Sequence, residues 1–410
     1  MERAEPSDPI ERFDLGECEP HDRSSLSSKD VKSIRSNHSV VPVSIKPLPP
    51  QRMAARGTTM KKLTSAFLSL AITAASMGAA YAQDIQELRL KVIGGWSNVT
   101  MTTAVEQPFW QKTMPDLSDN KITADFNSLD TLGLKGDETL RLLRLKIADI
   151  VTGPVSFVAG DFKLYDGLDL SGAILDIESM RKAVEAYRPV IDKNMQENFN
   201  AHLLMMWPSP PQVLFCKGEI KGVADLKGKK IRTFNQTLAD FVEAVGGTPV
   251  NLSFAEVVPA LQNGTADCGV TGTGPGNSAK WWEVTDHLFP LVLGWSPYFS
   301  AINLDTWNSL DEPTKAFLTE SFGKLEDEMW AHVAGVATEG VNCNTGIGEC
   351  AKGIKANMKL VEVTDADKAL LAGMVTETIL PRWAGRCGEA CVAQWNETVG
   401  KALGFTAKAQ

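Results

Sequence analysis

The feature that most constrains the fold is an alternation of short β-forming runs with helical runs. Leu88–Ile93, Lys121–Phe126 and Ala148–Thr152 are rich in β-forming residues, and runs with helical spacing separate them. This succession predicts an α/β layer with a mostly parallel sheet. Ligands of such sheets bind at the loops beyond the carboxyl ends of the strands. Those loops here carry two candidate ligand contacts, Trp96 and Thr152.

A second α/β unit follows, and a proline cluster separates it from the first. Residues 207–211 read Trp-Pro-Ser-Pro-Pro, which favours a stiff crossover between two lobes. Strand and helix signals then alternate as far as about residue 295, and Tyr298–Leu304 is predicted to be a strand that returns to the first lobe. The predicted lobes are residues 83–210 with roughly 298–340 for lobe 1 and residues 211–297 for lobe 2.

Long helices are predicted towards the end of the chain. Residues 314–334 and 366–379 have amphipathic helical spacing and are expected to pack around both lobes. Residues 341–410 are expected to form a helical, cysteine-containing segment that packs on the lobes. Two lobes joined by crossing strands leave a cleft, where receptors and two-domain enzymes alike hold their ligands.

The first 82 residues divide into two segments of different composition. Residues 1–59 are polar without apolar periodicity and are predicted to be disordered; our hypothesis is that translation starts at Met60, which would make them an over-called extension. Residues 60–82 combine a basic start, an apolar run and a small-residue end, as a secretory signal peptide does. A transmembrane anchor is the alternative, but hydroxyl residues interrupt the run. We expect cleavage near Ala82–Gln83 and a soluble, periplasmic mature chain.

Cysteine usage agrees with export to an oxidising compartment. Six cysteines follow the expected cleavage site: Cys216, Cys268, Cys343, Cys350, Cys387 and Cys391. This number suggests up to three disulfides. Proximity favours pairs 343–350 and 387–391, which leaves 216–268, although a cross-pairing of the two C-terminal clusters stays open. Spacings of seven and four residues do not match the usual zinc knuckles, so no metal site is expected.

Charge and motifs argue against several classes of function. A net charge of −9 argues against non-specific binding to nucleic acid or anionic lipid. His202, His287 and His332 have no paired metal-binding spacing, and neither a serine-hydrolase elbow nor a P-loop is present. Gly272–Gly276 contains a proline and is predicted to be a turn that allows close approach. These observations point away from catalysis, and no cofactor is expected.

An ordered set of motifs between residues 223 and 287 resembles a known receptor family. The motifs are Asp225-Leu226-Lys227-Gly228, Lys230-Ile231-Arg232, Gly247-Thr248-Pro249-Val250, Phe254-Ala255-Glu256-Val257, Ala260-Leu261-Gln262, Asp267 and Glu283-Val284. Their order and spacing resemble those of the solute-binding receptors of tripartite ATP-independent periplasmic (TRAP) transporters, of the C4-dicarboxylate-binding type. The resemblance implies an α/β, two-lobed type II periplasmic-binding fold with crossing hinge strands and long C-terminal helices. It also implies capture of a small organic anion and delivery to the TRAP membrane subunits.

The resemblance also implies ligand contacts. The arginine that closes the Lys-Ile-Arg motif forms a bidentate salt bridge with the substrate carboxylate in this family, and that role falls on Arg232. A guanidinium is a rigid fork that matches a carboxylate and stays charged when it is buried and paired. The position of Phe254 touches ligand in the family, and its ring together with Trp96 or Trp207 is expected to sandwich an apolar ligand body. Asn235 is a further candidate.

Two departures from the family pattern affect the expected ligand. Thr271 stands where the family often has an asparagine, and Gln212 stands where some members have a second arginine. Both changes make the pocket less cationic, so we expect a ligand with one carboxylate. The alternatives are a ligand-sensing receptor that feeds a signalling partner and, from another class, a periplasmic enzyme on the same scaffold.

Overall fold

A computed structural model describes residues 85–409, in which two mixed sheets are each covered by helices. The extension expected at 1–59, the signal peptide expected at 60–82 and its cleavage site lie outside these residues. The strands are β1 Leu88–Gly94, β2 Ile122–Ser128, β3 Ile150–Pro154, β4 Ala201–Pro208, β5 Gln212–Cys216, β6 Lys230–Thr233, β7 Thr248–Asn251, β8 Cys268–Gly272, β9 His287–Phe289, β10 Pro297–Asn303 and β11 Lys359–Leu360. The α-helices are α1 Met114–Leu117, α2 Thr139–Arg144, α3 Ser156–Ala159, α4 Ile177–Phe199, α5 Gln236–Ala244, α6 Val257–Gln262, α7 Thr273–Ser278, α8 Leu304–Ser309, α9 Glu312–Thr345, α10 Asp365–Met374, α11 Leu380–Cys387, α12 Glu389–Trp395 and α13 Lys401–Leu403. Wider π-helical turns occupy Met101–Glu106, Phe109–Thr113, Val375–Ile379 and Asn396–Gly400.

The first lobe is built on a five-stranded sheet in the order β2-β1-β3-β10-β4. Strands β1, β2 and β3 run parallel, and β10 pairs antiparallel with both β3 and β4. Every residue of β3 and β10 is buried, as expected of central strands with helices on both faces. Because β10 comes late in the sequence, the chain returns to the first lobe after it has built the second.

The second lobe is built on a six-stranded sheet in the order β11-β9-β5-β8-β6-β7. Strand β6 lies parallel to β7 and β8, whereas β5 is antiparallel to β8 and β9. Strands β9 and β11 were not predicted, because three-residue and two-residue strands are too short to show a period. Within residues 85–409, every helix is too short or too polar to span a bilayer.

Two crossing segments join the lobes and are hydrogen-bonded to each other. The Ser209 N–H donates to the Trp295 carbonyl at 2.8 Å, and the Gln212 N–H donates to the Gly294 carbonyl at 2.9 Å. Gly294 has a φ of +148°, and a Cβ atom there would lie 3.2 Å from Oδ1 of Asp169. A glycine is therefore needed where this crossing segment passes the buried carboxyl group of Asp169.

Helix α9 spans both lobes. Nε1 of Trp330 donates to the Met206 carbonyl of the first lobe at 2.9 Å, and Nδ2 of Asn344 donates to the Thr273 carbonyl of the second lobe at 2.9 Å. The helix was predicted to end near residue 334, but it is 34 residues long and ends at Thr345. The predicted start of the C-terminal segment at residue 341 therefore lies inside it. After residue 334 the helix packs on α7 of the second lobe, where Val336 lies against Gly274 and Gly340 against Thr273.

The C-terminal segment also contacts both lobes. Nε1 of Trp395 donates to the Gly167 carbonyl of the first lobe at 2.8 Å. Both terminal nitrogens of Arg386 donate to the carboxylate of Asp240 in α5 of the second lobe, at 3.1 and 2.6 Å. The segment is thus attached to the lobes by buried indole hydrogen bonds and by a bidentate ion pair.

The structure pairs Cys216 with Cys268, Cys343 with Cys350, and Cys387 with Cys391. One expectation is wrong: Gly272–Gly276 is not a turn, because Thr273–Ser278 forms helix α7. A Cβ atom at Gly276 would lie 2.4 Å from the ring of Phe215, so this glycine lets α7 pack directly on β5. The glycines thus allow the close approach that was expected of them, but the approaching segment is a helix instead of a turn.

Candidate functional site

A cavity of about 120 Å³ lies between the lobes, at the ends of β3, β6, β8 and β10. The candidate residues that line it are Trp96, Gln212, Arg232, Phe254 and Thr271. Three aromatic residues that the sequence did not single out line it as well: Phe157, Phe234 and Tyr298. Residues from before the proline cluster thus meet residues from after it.

Arg232 presents a buried cation to this cavity. The residue is 3 % exposed; Nε donates to the Leu252 carbonyl at 3.0 Å and Nη1 donates to the Val270 carbonyl at 2.8 Å. These bonds fix the plane of the guanidinium while leaving its charge uncompensated. Within the described part of the chain, no carboxylate lies within salt-bridge distance of Arg232 or lines the cavity.

The electrostatic state of Arg232 reflects this isolation. Burial lowers the pKa of its guanidinium from 12.5 to about 9, because a charge in a poorly solvated site is penalised. The rings of Phe234 and Trp281 lie 5.2 and 5.7 Å from the guanidinium carbon and offer weak cation–π attraction. An anion bound in the cavity would supply the missing countercharge and hydrogen-bond acceptors.

The other predicted polar contacts are neutral. Gln212 is 3 % exposed and uses Nε2 to donate to the Pro210 carbonyl at 2.9 Å. Thr271 lies on β8, opposite Val213 of β5, and is 4 % exposed. The cavity therefore combines one buried positive charge with amide and hydroxyl groups.

Aromatic side chains from both lobes meet at the cavity. The ring of Trp96 lies 5.6 Å from that of Phe254 and 6.4 Å from that of Phe157. Phe254 also stacks on Trp281 at 5.7 Å. Trp96 and Phe254 thus contact each other across the lobes, whereas Trp207 stacks on Tyr298 at 5.8 Å. The sandwich of a ligand body between Phe254 and Trp96 stays a prediction.

Three predicted contacts lie away from this cavity. Trp207 and Thr152 line a much smaller cavity behind it. Asn235 accepts from the Leu238 N–H at the start of α5, and its Nδ2 donates to Oδ2 of Asp169 in the first lobe at 2.7 Å. The Asn235 side chain thus caps α5 with its oxygen and joins the lobes beside the crossing segments with its nitrogen, so it does not line the cavity.

An ion pair bridges the lobes at the rim of the cavity. Nζ of Lys135 in the first lobe lies 3.1 Å from Oε1 of Glu256 in the second, with side chains that are 67 % and 46 % exposed. Glu256 also accepts from Ser253 at the start of α6, which together with Lys135 lowers the pKa of its carboxyl group to about 2. Residues 85–409 contain no group of three or more His, Cys, Asp or Glu side chains placed to hold a metal ion.

Residues 97–375 match the family described as bacterial extracellular solute-binding protein, family 7. The chain belongs to this family. The predicted TRAP-type receptor is thereby confirmed, and so is its solute-binding function.

Curated relatives of this family 7 receptor agree with the assignment. It is 24 % identical to the sialic acid-binding periplasmic protein of Vibrio cholerae over 288 residues, which are 68 % of this chain and 84 % of the relative. It is 26 % identical to the 2,3-diketo-L-gulonate-binding periplasmic protein of Escherichia coli over 200 residues, which are 46 % of this chain and 61 % of that relative.

Solved structures confirm the two-lobed α/β fold of the family 7 receptor. A Bordetella pertussis extracytoplasmic solute receptor binding pyroglutamic acid aligns with a TM-score of 0.69 at 19 % identity, covering 77 % of this chain and 99 % of that chain. The periplasmic ectoine-binding protein of Halomonas elongata aligns with the same TM-score, identity and coverage.

Sequence reasoning missed several cavity residues of the family 7 receptor. Tyr298 was assigned to a strand, but no signal showed that the first residues of β10 reach the cleft. Phe157 follows β3 in a short helix, and its ring was indistinguishable from a core residue. Trp96 and Thr152 were selected because ligands bind at the loops beyond the carboxyl ends of strands. The same criterion, applied a few residues further past β3, would have found Phe157.

Proposed function

We propose that this receptor captures a small organic acid with one carboxylate, held by a salt bridge to Arg232, and delivers it to the membrane subunits of a TRAP transporter. The observation that carries the proposal is the buried guanidinium without a carboxylate partner among the described residues. Two of its N–H groups bind carbonyls and orient the plane for a bidentate acceptor. The relatives named for sialic acid, 2,3-diketo-L-gulonate and pyroglutamic acid are all named for carboxylic acids.

A single carboxylate fits the charges at the cleft. Gln212, where some family members have a second arginine, is neutral and already donates to a carbonyl. Lys135 is the other cation that lines the cavity, but it is largely exposed and paired with Glu256. A second carboxylate would therefore lose water without gaining a buried cation. Aromatic walls supply the remaining affinity through contact with an apolar ligand body.

Closure of the lobes by a hinge motion completes the proposed mechanism. The crossing segments near Trp207–Gln212 and Gly294–Phe299 would bend, and the closed form would be the one that the membrane subunits bind. The chain would reach the periplasm through the signal peptide at 60–82, so the secreted protein would begin at Gln83. N-terminal sequencing of the secreted protein tests that point. The protein would act by binding, without turnover of its ligand.

A thermal-shift screen of the secreted protein against organic acids tests the proposal, followed by calorimetry on every acid that binds. At a hundredfold excess over Kd, a ligand stabilises the folded state by about 2.7 kcal/mol, which is readily measured. Arg232→Ala should abolish binding. Arg232→Lys keeps the charge but loses the planar fork, so it should weaken binding about tenfold or more. Arg144→Ala, at an exposed position, serves as the matched control.

The outcomes separate the candidate functions. A monocarboxylate that stabilises the wild type and the Arg144 variant, but not Arg232→Ala of unchanged circular dichroism, supports the receptor and its arginine site. Equal binding by Arg232→Ala contradicts the site. Chemical conversion of a bound acid would favour an enzyme. Loss of uptake on deletion of the membrane subunits would favour transport over ligand sensing.

A further inference from the structure

A second cavity of about 10 Å³ lies directly behind the ligand cleft. Trp96 and Tyr298 line both cavities, so their side chains stand between the two spaces. Glu106, Thr152 and Trp207 also line the smaller cavity, and each of these three is at most 2 % exposed. Its volume corresponds to one water-sized group.

Three polar atoms at this cavity have no hydrogen-bond partner among the described residues. They are Oε1 of Glu106, Oγ1 of Thr152 and Nε1 of Trp207. The Thr152 hydroxyl lies close enough to Glu106 to lower the pKa of its carboxyl group, but it makes no hydrogen bond of normal distance and angle. Oε2 of Glu106 accepts from the Gly95 N–H at 2.9 Å, which fixes the orientation of the carboxyl group.

Buried polar groups without partners destabilise a fold, and they are rare in native proteins. Three of them around one water-sized space therefore point to an occupant with matching hydrogen bonds. An indole N–H only donates, a carboxylate only accepts, and a hydroxyl group does both. When Glu106 is ionised, the occupant must accept from Trp207 and donate to Glu106. An ammonium group cannot accept, and a carbonyl oxygen cannot donate, whereas a hydroxyl oxygen does both.

We propose that this cavity is a single-oxygen subsite, formed by Glu106, Thr152 and Trp207, that binds the oxygen of a hydroxyl group or of water at the back of the cleft. When the ligand supplies the hydroxyl group, the subsite narrows the substrate class to hydroxylated monocarboxylic acids. That narrower statement rests on the proposed function, since Arg232 holds the same ligand. When water supplies the oxygen, the bridged water stabilises the wall that Trp96 and Tyr298 present to the ligand.

Matched pairs of acids test the source of the oxygen. The probes are lactate and propionate, mandelate and phenylacetate, and 4-hydroxybenzoate and benzoate, measured by calorimetry. Burial raises the pKa of Glu106 from 4.5 to about 7, so titrations at about pH 8 keep its carboxylate charged. The protein is the secreted wild type, together with Trp207→Phe, Thr152→Val and Glu106→Gln, and each melting temperature is recorded. A crystal structure without added acid reports the density in the cavity.

If the ligand supplies the hydroxyl group, one hydroxylated acid binds the wild type about tenfold or more tightly than its partner. Trp207→Phe and Thr152→Val then reduce that ratio, while both still bind the unhydroxylated partner. If water supplies the oxygen, the pairs bind alike, and density for one oxygen lies within hydrogen-bond distance of all three atoms. An empty cavity together with pairs that bind alike overturns the proposal. If no acid binds at all, the proposed function fails, and the density alone decides the subsite.

Discussion

At Arg232 the balance between burial and pairing decides what the site attracts. A guanidinium that is 3 % exposed and has two carbonyl partners is oriented but not neutralised. Desolvation of such a charge is costly unless an anion compensates it. The free energy that the protein loses in the empty cleft returns as affinity when a carboxylate binds. Burial penalises the charged form of the buried acids of this chain as well, but for an acid this raises the pKa instead of lowering it.

Asp166 is such an acid, and it gives a pH-dependent prediction. Burial and the nearby charge of Asp169 raise the pKa of Asp166 from 3.8 to about 7, while Arg386 and Lys163 lower it. Neither carboxyl oxygen has a hydrogen-bond partner among the described residues. The folded protein thus holds a proton that the unfolded chain releases near pH 4, so this contribution to stability is complete below about pH 4 and is lost as pH rises through about 7.

We therefore expect Asp166→Asn to reduce the fall in melting temperature between about pH 5 and pH 8. The fall should not vanish, because burial also raises the pKa of Asp169 and of Glu106 to about 7. Calorimetry across this pH range measures the effect, with the exposed Asp161→Asn as control. An Asp166→Asn variant with the wild-type pH slope would contradict the assignment.

Among the elements, β5 and β8 form the centre of the second sheet and carry a covalent link. Cys216 and Cys268 face each other in the antiparallel register, and both are fully buried. Their disulfide closes a segment of 52 residues, whereas the bond from Cys343 to Cys350 closes one of seven. The first bond therefore constrains the unfolded chain more than the second.

Removal of the Cys216–Cys268 bond by paired alanine substitutions should lower the free energy of unfolding by about 4 kcal/mol, plus a packing loss. The matched pair Cys343→Ala and Cys350→Ala should cost about 2 kcal/mol, because the closed loop is shorter. Urea unfolding of both double variants measures the difference. The prediction would be contradicted if removal of the Cys343–Cys350 bond lowered the free energy of unfolding as much as removal of the Cys216–Cys268 bond.

For the whole molecule, the two lobes are in contact along the cleft. Trp96 meets Phe254 across it, Lys135 pairs with Glu256 at the rim, and Asn235 contacts the first lobe beside the crossing segments. Helix α9 and the C-terminal segment contact both lobes as well. The contact between the lobes thus combines an aromatic pair, in which Trp96 is buried and Phe254 half-buried, with an exposed ion pair, and the two interactions differ in strength.

We expect Lys135→Ala to weaken binding of an acid found in the screen by no more than about fivefold, because an exposed ion pair contributes roughly 0–1 kcal/mol. Raising the salt concentration should remove even this effect. Calorimetry at low and high salt measures it, with Lys146→Ala, whose ion pair lies within the first lobe, as control. A loss as large as that of Arg232→Ala would instead make Lys135 a direct ligand contact.

Much of the fold was predictable because its signals are local. Strand β1 was placed from alternating β-forming residues, and β10 was expected to return to the first lobe, as it does. The length of α9 beyond residue 334 and the edge strand β11 were not predicted. Helix α7 was taken for a turn, because three glycines and a proline disfavour a helix unless tertiary packing stabilises it.

The sequence by itself determined the α/β class and the two-lobed plan, because periodicity is a property of neighbouring residues, and the resemblance of an ordered motif to the receptor family selected Arg232 as a candidate ligand contact. Tertiary structure alone decided which side chains share a cavity. It brought Phe157, Tyr298 and Arg232 together and placed Trp207 and Thr152 behind the cleft with Glu106. Such convergence depends on the packing of segments far apart in the chain, and no local pattern records which side chains that packing buries or leaves without a partner.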